Sequence, residues 1–461
     1  MALDRGTTEQ VVQQALSASF KDRRLTLRLA NIVEKLAASP AASFPTIFNA
    51  AELEGAYRFF GNPNVTGEII LSGHYASVVK LSALQPTLIV HDTTKFVFDP
   101  EGERVGLGRI RTGGQAFFAH FSLVLSADGK RRPLGVAALQ TWVRDDDPDA
   151  PRERDRWARG VDIASSRLGQ TAKRIHVMDR EADDYALFAH LAKHNQSFVI
   201  RLMHDRILGE QFDGKAVKIS NILSQVEFIV QRSATLSRRK DGGRSPAQKK
   251  THPARAARTA KLAVGALRIE IPRRLTSGDD LPERLPINLV RVLEIDAPEG
   301  VEPVEWLLLT DQPIETPEDL DRIVDTYRAR WTIEELFKVI KTGCAFEKRQ
   351  LEEYEGLVNA LAATIPIACK ALELRTRARI EPDSTDILLD ADHLLVLRAK
   401  GRLKLPAQPT NREILLAVAA LGGHIKWNGD PGWKTICGGL EKLLSLTEGY
   451  RIAKLQLASD Q

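Results

Sequence analysis

Residues 174–202 read RIHVMDREADDYALFAHLAKHNQSFVIRL, and this stretch decides the fold. Ile175 to Met178 is a short strand with Asp179 at its C-terminal end. A helix follows through YALFAHLAKHN (185–195), and SFVIRL (197–202) is a strand again. Upstream lie three more strand-like runs: PTLIVHDTTKFVF (86–98), AFFAHFSLVLSADG (116–129, with SADG as its turn) and PLGVAALQTWV (133–143). They predict three consecutive antiparallel strands, with Asp92 inside the first. A charged loop, RDDDPDAPRERDR (144–156), and a helix from Trp157 to Leu168 separate them from the strand–helix unit. Three antiparallel strands, a strand–helix unit and a further strand predict a mixed sheet with helices, an α/β fold.

On the N-terminal side, residues 1–70 are helical in pattern: Thr8 to Ser19, Leu25 to Ala38, and Ala50 to Phe60. Arg24, Arg28 and Lys35 share a face of the second helix. This is either a small DNA-reading module or an ordinary helical subdomain with solvated arginines. On the C-terminal side, residues from about 206 to 300 hold strand-like runs (VEFIVQRS, LAVGALRIEI, PINLVRVLEI) around a very basic interruption, SRRKDGGRSPAQKKTHPARAAR (237–258). That interruption is a solvated loop or a phosphate-contacting arm. WLLLTD (306–311) resumes the strand pattern, and the chain from about 375 onward is helical.

Between these lies YRARWTIEELFKVIK (327–341). Tyr327, Arg330, Glu334, Lys338 and Lys341 fall at helical spacing, a stripe about 20 Å long at 1.5 Å per residue. Thr316 can cap the helix, Pro317 fits its first position, Glu318 and Asp319 complement its dipole, and Gly343 can end it. The stripe is either a solvated face with a Glu334–Lys338 pair or a phosphate-following groove around a single acid.

With 461 residues and 43% hydrophobic content the chain is long enough for several domains and a sizeable core. A net charge of +5 fits a polyanionic partner. Cys344, Cys369 and Cys437 form no metal-ligand pattern and suit a reducing compartment. The start, MALDRGTTEQ, carries no apolar signal, and no apolar run is long enough to span a membrane, so a soluble intracellular protein is expected. No Cys/His set for zinc, no GxxxxGK[ST] loop and no GxSxG elbow is present. Three carboxylates remain: Asp92, Asp179 and Glu334. Such oxygen ligands suit Mg²⁺ or Mn²⁺. Each has a plainer reading, as a satisfied strand polar group, a helix cap and a surface residue. Asp145, Asp146, Asp147 and Asp149 form a rival acidic cluster in a solvated, Pro-containing loop.

HDTT around Asp92, DREAD from Asp179 to Asp183, and Y-x2-R-x3-E-x6-K at Tyr327, Arg330, Glu334 and Lys341 together resemble DDE transposases of the insertion-sequence-four family. EGAYRFFGNPNV (54–65), WLLLT (306–310) and RWTIEE…KTG (330–343) extend the resemblance over nearly the whole chain. It implies an RNase H-like mixed-sheet catalytic domain at 71–374, with a β-rich insertion at about 206–300. A helical DNA-binding domain at 1–70 and a helical dimerisation domain at 375–461 would flank it. It implies Asp92, Asp179 and Glu334 as a catalytic, metal-binding triad for Mg²⁺, with Mn²⁺ able to substitute. Tyr327, Arg330 and Lys341, with Lys338 and Arg201 nearby, would hold phosphates of the DNA end. Trp306 would stack a flipped base, a buried core tryptophan being its alternative, and Arg28 would contact DNA.

The implied activity is cut-and-paste transposition through a hairpin intermediate. The implied partners are double-stranded DNA, as transposon-end inverted repeats and as target, and a second copy of the chain in the synaptic complex. No membrane is involved, and the setting would be the bacterial cytoplasm at the nucleoid. A nuclease with the same core but no strand transfer, or a catalytically silent DNA-binding inhibitor, are the competing expectations. The chain departs from its relatives at GGQAFFAH (113–120), where they carry tryptophans, and matches only loosely at 237–258 and in the C-terminal region.

Overall fold

The computed structural model describes residues 5–110, 113–144, 152, 154–169, 173–210, 216–236, 254–273, 280–385, 389–425 and 429–459. The acidic cluster Asp145, Asp146, Asp147 and Asp149, and residues 237–253 of the basic stretch, lie outside them. In chain order the longer helices are α1 (Arg5–Leu16), α2 (Arg23–Ala38), α3 (Ala50–Phe60), α4 (Gly67–Ser82), α5 (Asp155–Leu168), α6 (Tyr185–Lys193), α7 (Pro317–Ala329), α8 (Trp331–Lys338), α9 (Tyr354–Ile380), α10 (Ala391–Lys400), α11 (Asn411–Leu421) and α12 (Trp433–Ser459). The main strands are β1 (Thr87–Phe98), β2 (Gln115–Ser126), β3 (Pro133–Trp142), β4 (Arg174–Met178), β5 (Phe198–Arg201), β6 (Phe228–Leu236), β7 (Arg258–Pro272), β8 (Arg284–Glu294) and β9 (Glu305–Thr310). Three antiparallel strands, a helix, then strand, helix and strand follow one another in chain order, and the class is mixed α/β. The chain divides into two compact units, Met1–Arg174 with Trp331–Gln461, and Ile175–Arg330.

In the first unit β2 lies between β1 and β3, antiparallel to both. Alternation along β1 sorts its side chains onto two faces. Ile89, His91 and Thr93 face one way, paired across to Val124, Ser122 and His120 of β2, and α5 covers this face through Trp157, whose ring sits 4.8 Å from that of His120. Val90, Asp92, Thr94 and Phe96 face the other way, beside Leu123, Phe121, Ala119 and Phe117. Fully buried side chains such as Val90 and Phe96 each contribute about 1.5–3 kcal/mol to folding.

The N-terminal helices are capped as their sequences dictate. Asp22 accepts from the Arg24 N–H, Asn49 and Glu52 form a capping box, and Thr66 accepts from the Ile69 N–H. α1 covers Arg5–Leu16 where Thr8 to Ser19 was expected, and the expected boundary at residue 70 falls inside α4. Likewise the boundary at 374 falls inside α9. α9 also corrects the expectation that no apolar run could span a membrane. It is long enough, with mean hydropathy 1.5 over its most apolar window, but 83% of that window is buried in the protein. It is a core helix.

In the second unit β4 and β5 run parallel, and β5 pairs antiparallel with β9. From β9 the sheet continues as an antiparallel series, β8, β7, β6. These last strands are the expected β-rich insertion. Gly265 marks a bulge in β7 because a Cβ there would fall 2.2 Å from the Glu227 carbonyl oxygen. Glu294, whose side chain is fully buried, accepts from Nε and Nη2 of the Arg258 guanidinium at 2.9 Å each.

Two buried histidines in the first unit set an acid limit on stability. His74 accepts the Val136 N–H at its Nε2 and faces Gln14 through Nδ1. His120 meets Thr93 through Nδ1, and its buried Nε2 has no partner among the described residues. Burial, helped by Lys370 for His74 and Arg156 for His120, pushes both pKa values from 6.5 down to about 3. The unfolded chain therefore binds more protons than the native one below pH 6.5. Stability is expected to hold above that pH and to fall between pH 6.5 and 3, by up to about 1.4 kcal/mol per pH unit for each histidine. Urea unfolding across this range, with His120→Gln expected to flatten the slope, checks it.

Candidate active site

The first unit places Asp92 and Glu334 on one face. Asp92 is buried near the middle of β1, with Oδ1 accepting the Thr93 N–H at 2.8 Å. Its cross-strand partner is Phe121, so both side chains emerge on the same side of the sheet. The Phe337 ring packs edge-on against Phe121 at 5.4 Å, which seats α8 over that face. Glu334 lies three residues before Phe337, on the neighbouring part of the same helical surface. Lys341 completes this side: its Nζ donates to the Lys95 carbonyl at 2.6 Å and sits 5.4 Å over the Phe96 ring. Burial pulls the Lys341 pKa down, with Lys95 adding to that and Glu347 and Glu334 opposing it.

The expected single helix differs here. Thr316 and Asp319 form the predicted cap of α7. Past Lys338, however, Val339–Gly343 make a π-turn, closed by the Cys344 N–H donating to the Val339 carbonyl at 2.8 Å. The wider turn moves Lys341 off a regular 3.6-residue stripe and brings it to the edge of β1. Lys338 leans on Glu335 at 3.3 Å and over the Trp331 ring at 4.8 Å.

The second unit gathers another set around Tyr327. This tyrosine is 6% exposed and packs 5.3 Å from the half-buried Trp306 ring. Arg201 hydrogen-bonds it, and Arg330 and Asp179 are its charged neighbours. Burial raises its pKa, Asp179 adds to that, and the two arginines oppose it. Asp179 ends β4 and accepts the Glu181 N–H at 2.8 Å, capping a short 3-10 turn. Arg28 is exposed on α2 and lies across Gly55 of α3, where a Cβ would meet its Nη1 at 2.5 Å.

Two features escaped the sequence reading. Asp183, the last acid of DREAD, has a fully buried side chain. It accepts the Met203 and His204 N–H groups at 2.8 Å each and pairs with buried Arg206. Glu335 is likewise spoken for by four donors, described below. The signals that would have found them are contacts distant in sequence.

Carboxylate oxygens suit a hard divalent ion. Among the described residues no group of three or more His, Cys, Asp or Glu lies close enough to hold one. The two acids on the β1–α8 face therefore fit a site that takes part of its ligand set from these carboxylates and part from substrate oxygens and water.

Residues 10–65 match the family model "Transposase DNA-binding", which includes Arg28. Residues 160–368 match "Transposase DDE domain", which includes Asp179 and Glu334, while Asp92 lies ahead of it. Among solved structures the chain is similar to a piggyBac transposase synaptic complex with hairpin DNA, at 8% identity and a TM-score of 0.34, covering 88% of this chain and 78% of that one. With a DNA-binding domain ahead of a DDE domain, the chain is a metal-dependent DDE transposase.

Proposed function

We propose that this transposase works by cut-and-paste, and that it is a member of the insertion-sequence-four family similar to the transposase of bacterial transposon five. The observation that carries the reading is the shared face of Asp92 and Glu334, set by α8 packing across β1. Asp179 joins them to complete the triad. These acids would hold Mg²⁺, or Mn²⁺ in its place; a bound pair of such ions would supply activation of a water or a 3′-hydroxyl and stabilisation of the leaving oxygen of an in-line displacement. Arg330, Arg201, Lys341 and Tyr327 hold phosphate oxygens of the DNA end. Lys338, half exposed, reaches a phosphate while leaning on Glu335. Trp306 offers its ring to a base turned out of the stack. Arg28 contacts the end repeat.

Water cleaves one strand at the transposon end; the 3′-hydroxyl so freed attacks the opposite phosphodiester and displaces the 3′-oxygen of the flanking DNA to give a hairpin, which water reopens, and the restored 3′-hydroxyl attacks a target phosphodiester, displacing its 3′-oxygen. Two ends need two copies of the chain. Exposed Leu446, Ile452 and Leu457 on α12 supply apolar surface that a second copy could cover. The setting proposed is the bacterial cytoplasm at the nucleoid.

The test is to mix purified protein, Mg²⁺ and DNA bearing the element's own inverted ends. Hairpins followed by strand-transfer products are expected. Nicks without hairpins would replace the reading with a nuclease, and binding without cleavage would replace it with an inhibitor.

A further inference from the structure

Glu335, the neighbour of Glu334, points away from solvent into a junction of three helices. Its side chain is 13% exposed. Oε1 accepts Trp331 Nε1 at 3.2 Å and Lys338 Nζ at 3.3 Å, both from its own helix. Oε2 accepts Arg375 Nη1 from α9 and Trp433 Nε1, at 2.8 Å, from α12. The Arg375 guanidinium in turn lies 4.5 Å over the Trp433 ring, with its own side chain 9% exposed. Burial alone would raise the Glu335 pKa, but Arg375, Lys338 and the Trp433 hydrogen bond outweigh it and hold the carboxyl below the usual range.

α8 is a short helix of 8 residues that runs straight into a π-turn. Helices of this length have little stability of their own, so packing and polar anchors must fix their rotation. Phe337 and Leu336 seat one side of α8 against the sheet and core. Glu335 anchors the adjacent side to two further helices by tertiary contact alone: its partners Arg375 and Trp433 lie 40 and 98 residues downstream. A rotation of α8 that moved Glu334 would break the two hydrogen bonds that reach this buried charge from other helices, those of Arg375 and Trp433.

We propose that Glu335 is a positioning residue. Held by Arg375 and Trp433, it fixes the rotation of α8 and so the placement of Glu334, which ties the C-terminal helices to the catalytic carboxylate. The inference rests on Glu334 acting in the site proposed above. Partners of this kind, one step removed from a metal ligand, are worth about 10–100-fold in metal affinity or activity.

The experiment uses full-length protein and the variants Glu335→Gln, Trp433→Phe and Glu334→Ala. It measures end-DNA binding, single-turnover cleavage, the Mn²⁺ concentration needed for half-maximal cleavage, and Mn²⁺ binding by paramagnetic resonance without DNA. Glu335→Gln is expected to bind end DNA as wild type does, to bind Mn²⁺ more weakly, and to cleave about 10–100-fold more slowly. Added Mn²⁺ should partly rescue it. Trp433→Phe keeps an aromatic ring, smaller than the indole, and removes one donor, and should fall in the same direction by a smaller factor. If Glu335→Gln does not fold, Trp433→Phe decides: slower cleavage and weaker Mn²⁺ binding support the role, and wild-type values for both overturn it. Wild-type cleavage and Mn²⁺ affinity in a folded Glu335→Gln overturn it as well, as does an equal loss of DNA binding and cleavage. A fully active Glu334→Ala would overturn the underlying site instead.

Discussion

Glu334→Ala is expected to give a folded protein that binds DNA ends and does not cut them. Glu334 is half-buried on α8, away from the apolar contacts of Ile333, Leu336 and Phe337 that seat the helix, so the stability change should stay within about 1 kcal/mol. Cleavage should fall by about a thousandfold or more, since a divalent ion contributes several kcal/mol to such a displacement and each 1.4 kcal/mol is tenfold. Gel shift and end-labelled cleavage on the same preparation separate the two effects. Cleavage at the wild-type rate would remove Glu334 from the site.

The largest stability effect is expected from Asp183→Ala. The side chain is fully buried and satisfies two backbone N–H groups and the Arg206 guanidinium. Removing it strands a buried cation and two donors, at a cost of about 3–5 kcal/mol. For a unit of this size that lowers Tm by roughly 10 °C. Asp179→Asn, four residues earlier, keeps an oxygen for the Glu181 N–H and should melt near wild type while cleavage is lost. Calorimetry and cleavage on both variants would assign stability to one end of DREAD and chemistry to the other. Wild-type melting of Asp183→Ala would contradict the assignment.

The sheet was legible because β1, β2 and β3 are long apolar runs with clear turns, and because β4 and α6 change period at Asp179. The α7 cap was legible because Thr316, Pro317 and Asp319 act within one turn. The π-turn was not, since widening one turn depends on what Lys341 and Cys344 meet after folding. Lys338 shows the same limit. Its spacing from Glu334 fits a helical pair, yet its partner is Glu335, whose charge is fixed by Arg375 and Trp433 from distant helices. Asp183 looked like one more acid in a motif because its partners, Met203, His204 and Arg206, sit beyond the next strand.

The central claim is that Asp92, Asp179 and Glu334 serve one metal-dependent reaction on a DNA end. Anomalous diffraction from Mn²⁺-soaked crystals of the protein on its own end DNA tests it most directly. The account predicts manganese peaks bound by carboxylate oxygens of these three residues and by phosphate oxygens of the scissile strand. Manganese bound by other residues, with any of the three acids turned away from it, would contradict the account.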